Sequence, residues 1–157
     1  MTILITGGAG YIGSHATAIF REKGYGVVVV DDLSKGHRSA VADGAKLYVG
    51  NIADKAFMDK VLEENKIDAV IHFAAYSLVG ESMQKPYEYY KNNVAGSMEL
   101  FESLVRHGVK NVVFSSTAAT YGQPEDGIIT EKTPNAPINT YGETKLSIEK
   151  MLKWYNT

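Results

Sequence analysis

A phenol and an ammonium stand four residues apart in Tyr141-Gly142-Glu143-Thr144-Lys145. On a helix that spacing stacks both groups on one face, and an ammonium beside a phenol favours the phenolate. Upstream, an apolar run ends in Ser115-Ser116-Thr117, which adds hydroxyls at a strand end. A hydroxyl, a phenol and an ammonium grouped in this way form an acid/base set able to take a proton from a sugar hydroxyl.

The second chemical feature is the glycine-rich segment Thr6-Gly7-Gly8-Ala9-Gly10-Tyr11-Ile12-Gly13. It satisfies two spacings at once, Gly7-x-x-Gly10-x-x-Gly13 and Gly8-x-Gly10-x-x-Gly13. In either, one glycine permits the tight turn, one lets a pyrophosphate approach the backbone, and one lets helix pack on strand. The following helix turns its N-terminus to the phosphates. Asp31 closes the next apolar run, Val27 to Val30, where its carboxylate can hold a ribose 2′-hydroxyl and repel a 2′-phosphate. That favours NAD over NADP. Lys35 and Arg38, just downstream, could instead read a 2′-phosphate or be an ordinary basic loop.

The elements that must position these groups alternate strand and helix, which predicts an α/β fold with a doubly wound parallel sheet, the Rossmann arrangement. Strands are expected at Thr2 to Thr6, Val27 to Val30, Lys46 to Val49, Ala69 to Phe73 and Val109 to Ser115. Helices are expected from Ile12 to Lys23 with Gly24 as cap, and from an Asp54 cap to about Asn65. A long helix should run from Pro86 to His107, and a last one should start near Tyr141. The Gln123 to Asn139 stretch holds three of the four prolines and reads as a long loop of the kind that carries function.

Composition narrows the classes. A chain of 157 residues is expected to form one domain, 1–157, with a sizeable core. Its net charge of −2 gives no footprint for nucleic acid, and no apolar stretch is long enough to cross a bilayer. With no cysteine there is neither disulfide nor thiolate chemistry, and His15, His37, His72 and His107 lack ligand spacing, so no metal is expected. The start lacks the basic region of a secretory signal, and a cytoplasmic location is expected.

Further blocks carry a resemblance: Asp31-Asp32-Leu33-Ser34-x-Gly36, His72-Phe73-Ala74-Ala75, Val79-Gly80-Glu81-Ser82, Tyr89-Tyr90-x-Asn92-Asn93-Val94 and Ser115-Ser116-Thr117-Ala118-x-x-Tyr121-Gly122. With the glycine turn and the Tyr141/Lys145 pair, they make the chain resemble the extended short-chain dehydrogenase/reductase family, in its UDP-glucose 4-epimerase branch. The resemblance implies NAD as cofactor and 4-epimerisation of UDP-glucose and UDP-galactose, a step of galactose metabolism, through a transient 4-keto sugar. It makes Tyr141 the catalytic base, Lys145 the partner that lowers its pKa and holds the nicotinamide ribose, and Thr117 the hydroxyl on the sugar 4-oxygen. Cofactor contacts are implied for Gly7, Gly10, Tyr11, Ile12, Gly13, Asp31, Asp32, Asn51, Ile52, Phe73, Ala74, Ala75, Asn93 and Ser115, besides Tyr141 and Lys145.

The chain departs from the family at three places. Thr117 stands where close relatives often have serine, which keeps the hydroxyl, Asn51 replaces an aspartate that bonds adenine, and Ser77 replaces a lysine found in some epimerases. The related dehydratases differ by an acid and a base directly after that threonine, where this chain has Ala118-Ala119. The family's second domain, which grips the nucleotide-sugar, is expected to be absent here, leaving a chain that binds NAD without turnover. A homodimer through the Pro86 to His107 and Tyr141 to Tyr155 helices is also implied. The alternatives are a non-catalytic NAD-binding module or another nucleotide-sugar epimerase or dehydratase.

Overall fold

The computed structural model describes residues 1–124 and 127–155, so Glu125 and Asp126 of the long loop, and the last two residues, lie outside it. In chain order the elements are β1 Thr2–Thr6, α1 Tyr11–Glu22, β2 Gly26–Asp31, β3 Lys46–Val49, α2 Lys55–Glu64, β4 Ala69–His72 and α3 Val79–Gln84. There follow α4 Pro86–Tyr89, a π-helical stretch Tyr90–Ala95, α5 Gly96–Arg106, β5 Val112–Phe114, a 3-10 turn Ala118–Tyr121 and α6 Thr140–Tyr155. A 3-10 turn also spans Arg38–Ala40. The chain divides into two compact units, the first being Met1–Ala74 with Met98–Ser115, the second Ala75–Ser97 with the described residues from Ser116 on.

The first unit is built on a five-stranded sheet in the order β3-β2-β1-β4-β5, with every pairing parallel. This is the predicted α/β Rossmann arrangement, with β1 at its centre. Ile5 lies level with Val29 on one side and Ile71 on the other. Because both faces of the central strands are covered, they read as unbroken apolar runs. Leu4, Ile5, Val29 and Val30 are wholly inaccessible, and burying each stabilises by about 1.5–3 kcal/mol. Phe20 and Tyr25 pack on the Ile3, Ile5, Val27 and Val29 cluster.

Helix ends follow from local chemistry. Asp54 caps α2 by accepting the Phe57 N–H at 3.0 Å. Gly24 takes a left-handed conformation (φ 81°) after α1, and the Tyr25 N–H returns to the Phe20 carbonyl. The same device at Gly108 (φ 69°) sends the Val109 N–H to the Leu104 carbonyl. Val109 is therefore spent on closing α5, and β5 begins only at Val112 rather than at Val109.

In the second unit α6 packs on α3, α4, the π-helical stretch and the 3-10 turn at Ala118. Its inner face buries Thr144, Lys145, Leu146 and Ile148. Tyr89, fully buried, donates its hydroxyl to the Leu78 carbonyl at 2.8 Å and accepts from the Leu78 N–H. The expected single helix from Pro86 is one helical run widened at Tyr90–Ala95, where the Ser97 hydroxyl donates to the Asn93 carbonyl at 2.5 Å. Leu100 and Leu104 are buried within the single chain, and the run leaves Tyr87, Met98 and Val105 exposed instead.

Candidate active site

In the first unit the segment between β1 and α1 is shaped by close contacts at three of its glycines, with the backbone at Gly7 and Gly13 and with the buried Val29 side chain at Gly8. Gly7 sits at φ 73°, donates to the Val30 carbonyl at 2.8 Å, and a Cβ there would come within 2.7 Å of the Ala74 nitrogen. A Cβ on Gly13 would stand 2.2 Å from the Gly7 carbonyl oxygen. Gly10 differs, since a Cβ there would meet only the Gly7 oxygen at 3.3 Å. The chain's own packing thus requires glycine at positions 7 and 13, whereas position 10 opens outward, as a backbone approached by a ligand would.

Gly10 begins α1 without any side-chain cap, and the first turn holds no acidic residue. The first backbone N–H groups of a helix have no intrahelical acceptor and favour an anion. Tyr11 and Ile12 flank this end at 84% and 62% exposure. Asp31, nearly buried, accepts the Ala9 N–H at 3.0 Å on one oxygen and the Leu33 N–H at 2.9 Å on the other. Each carboxylate oxygen keeps a second lone pair with which to accept from a diol. These features fit a dinucleotide.

The other expected contacts distribute as follows. Asp32 accepts the Ser34 N–H, Asn51 accepts the Ala53 N–H at 2.8 Å, and both are exposed, while Ile52 is buried. Phe73 donates its N–H to the Thr6 carbonyl, Ala74 backs against Gly7, and Ser115 donates to the His72 carbonyl at 3.1 Å. Lys35 and Arg38 are exposed. His72 is buried, with Nδ1 2.7 Å from the Thr6 hydroxyl, a core role at the end of β1.

In the second unit α6 begins at an Asn139 cap, whose side-chain oxygen accepts the Gly142 N–H at 2.8 Å. The Tyr141 N–H donates to the hydroxyl of Ser82, a buried α3 residue. Sequence reasoning missed α3 in this role. The Thr117 hydroxyl lies beside the Tyr141 phenol, where it favours the ionised form, and the Lys145 nitrogen lies 5.9 Å from the centre of the Tyr141 ring. Thr117 also accepts the Ala119 N–H, which opens the 3-10 turn. The structure therefore brings Thr117, Tyr141 and Lys145 together.

Their electrostatics carry a difference from expectation. Burial pushes the Tyr141 phenol above its ordinary value of 10, and the Thr117 hydroxyl opposes this only in part. Burial also brings Lys145 down to about 8. The pair alone thus leaves the phenol protonated at neutral pH, and a proton acceptor there needs a further positive charge beside it.

Asn93 has all its hydrogen-bonding capacity occupied within the chain. Its oxygen accepts from the Tyr76 N–H and from Asn92, and its amide donates to the Tyr76 carbonyl and to Thr144. It pins the segment that begins at Ala75. Among the described residues no cluster of His, Asp or Glu could hold a metal ion, and no helix is long and apolar enough to cross a membrane.

Residues 3–157 match the model of the NAD dependent epimerase/dehydratase family. The chain is 58% identical over 156 residues to the UDP-glucose 4-epimerase of Streptococcus mutans serotype c, covering 98% of this chain and 47% of the relative. It superposes on a crystal structure of a UDP-glucose 4-epimerase with a TM-score of 0.97 at 55% identity, over 99% of this chain and 47% of the other. The UDP-glucose 4-epimerase from Brucella ovis in complex with NAD gives 0.94 at 45% identity, over 98% and 47%. The chain spans about half the length of the curated relatives it matches.

Proposed function

The chain belongs to the NAD dependent epimerase/dehydratase family, and from that premise we propose that the whole protein is a cytoplasmic NAD-dependent UDP-glucose 4-epimerase. The observation that carries this is the Tyr141 phenol beside Thr117 with the buried Lys145 ammonium near its ring. Such a group has one evident use, moving a proton on and off an alcohol.

In this reading the N-terminus of α1 with Gly7, Gly10 and Gly13 holds the pyrophosphate, Asp31 holds the adenosine ribose, and Lys145 holds the nicotinamide ribose. NAD, when bound, takes up and returns the hydride of the sugar's carbon 4, and its ring brings the positive charge that Tyr141 otherwise lacks. Tyr141 then accepts the proton of the 4-hydroxyl while Thr117 steadies that oxygen. Tyr141 later gives the proton back to the 4-keto sugar once its other face is presented. Lys145 holds positive charge beside the phenolate throughout.

Epimerisation is favoured over dehydration because Ala118 and Ala119, the residues after Thr117, offer no acid or base for removing water. The relatives' names support the UDP-hexose, and the NAD complex of the Brucella ovis enzyme supports the cofactor. Self-association as a homodimer through the Pro86 to His107 run and α6 remains part of this reading.

Calorimetric titration of NAD into this chain is expected to give saturable binding well below about 1 mM, and a coupled assay on the whole protein is expected to give UDP-glucose from UDP-galactose. Absence of binding at millimolar NAD overturns the cofactor reading. Saturable binding without turnover in the whole protein favours a non-catalytic NAD-binding module.

A further inference from the structure

One side-chain pair beside the proton-transfer group is not used by that mechanism. Tyr141, Lys145 and Glu149 recur at four-residue intervals and so share one face of α6. The Ser116 hydroxyl donates to the Glu149 carboxylate, a contact between side chains far apart in sequence. Ser116 immediately precedes Thr117, the residue whose hydroxyl meets Tyr141.

The helix therefore grips two consecutive residues of the 116–117 segment, one at Glu149 and one at Tyr141. The two helix positions stand about 12 Å apart along the axis, and their side chains converge on neighbouring hydroxyls, which fixes the direction of the segment as well as its position. At the Tyr141 end the backbones themselves touch, since a Cβ on Gly142 would lie 2.4 Å from the Ala119 carbonyl oxygen. That contact alone would let the segment pivot. A charge-assisted bond from Ser116 at the far end removes the pivot.

Resting on the reading of Thr117, Tyr141 and Lys145 as the proton-transfer group, we propose that Glu149 is a positioning residue that, through Ser116, holds the Thr117 hydroxyl in register with the Tyr141 phenol. Glu149 touches neither the phenol's proton nor the sugar in this account. It acts on the geometry of the residues that do.

The test compares Glu149→Ala, Ser116→Ala, their double variant and Glu149→Gln in the whole protein, with UDP-galactose as substrate. Either alanine variant is expected to lower kcat about tenfold or more, because small misplacements in a proton-transfer group are costly, with KM unchanged within about twofold. The double variant should fall no more than about threefold below the worse single one, as for two halves of one interaction. Glu149→Gln keeps an oxygen that accepts the Ser116 hydroxyl and should stay within about threefold of wild type.

If Glu149→Ala does not fold, Ser116→Ala against Glu149→Gln carries the same comparison, since removing one hydroxyl leaves the helix intact. Wild-type kcat in Ser116→Ala overturns the proposal, as does a Glu149→Gln rate as low as that of Glu149→Ala. Tyr141→Phe in the same assay separates the two levels. An active Tyr141→Phe sinks the underlying reading, whereas an inactive one beside fully active Ser116 and Glu149 variants sinks this inference alone.

Discussion

Tyr141→Phe in the whole protein is expected to lower the turnover of UDP-galactose by about a hundred- to ten-thousandfold, the range that general acid–base groups supply. The substitution removes one oxygen and leaves the ring that Lys145 approaches. Thr117 keeps the Ala119 N–H as a partner, so the strand end should hold its place. NAD affinity is therefore expected to stay within about threefold of wild type, separating the chemical step from binding. A coupled spectrophotometric assay beside calorimetric NAD titration checks both halves. A variant that retains more than a few per cent of the rate contradicts the assignment of Tyr141 as base.

The second large effect lies in the glycine turn, where one methyl group should do opposite things at two positions. Gly13→Ala would drive its Cβ to 2.2 Å from the Gly7 oxygen and 2.8 Å from the Gly8 Cα, both backbone atoms that cannot swing aside. A loss of about 2–4 kcal/mol of folding stability is expected, on the scale of overpacked and strained sites, and NAD binding should go with it. Gly10→Ala meets only the Gly7 oxygen, at 3.3 Å, and Gly10 already has an ordinary extended backbone (φ −79°). Its stability should stay within about 1 kcal/mol of wild type, yet its methyl group points where the pyrophosphate is to approach, so NAD affinity should fall at least about tenfold. Urea unfolding and NAD titration of both variants decide this. Unchanged NAD affinity in Gly10→Ala contradicts the turn as a phosphate cradle.

The strand pattern was legible because buried parallel strands advertise themselves as apolar runs, as in Val27 to Val30. The limits of elements were harder to read. Val109 to Ser115 looks like one strand, but Gly108 commits Val109 to the end of α5, and only the hydrogen bond to Leu104 reveals it. Nothing in hydrophobic spacing marks the π-helical turn at Tyr90–Ala95, whose widened carbonyl finds the Ser97 hydroxyl only in three dimensions. The short helix α3 is too brief to show a period, and its value lies in Ser82, which meets Tyr141 across a long sequence separation.

The candidate site shows the same division. Tyr141 and Lys145 were visible because helical periodicity alone joins them, and Thr117 because it closely follows an apolar strand. Glu149 escaped, and Asn93 was expected at the cofactor rather than as the pin of the Tyr76 segment, since the partners that give them these roles, Ser116 and Tyr76, are brought to them only by the fold. The direction of the Tyr141 shift escaped for a related reason: spacing reveals the neighbouring ammonium but not the burial that raises the phenol.

The most direct measurement of the central claim follows the hydrogen on carbon 4. The whole protein is given UDP-galactose deuterated at that carbon, in ordinary water with NAD present, and the UDP-glucose formed is analysed by mass spectrometry. Full retention of deuterium at carbon 4 is predicted, because the hydride leaves and returns within the site while only the hydroxyl proton passes through Tyr141. Loss of the label to solvent, or a product lacking the 4-hydroxyl, would contradict the account.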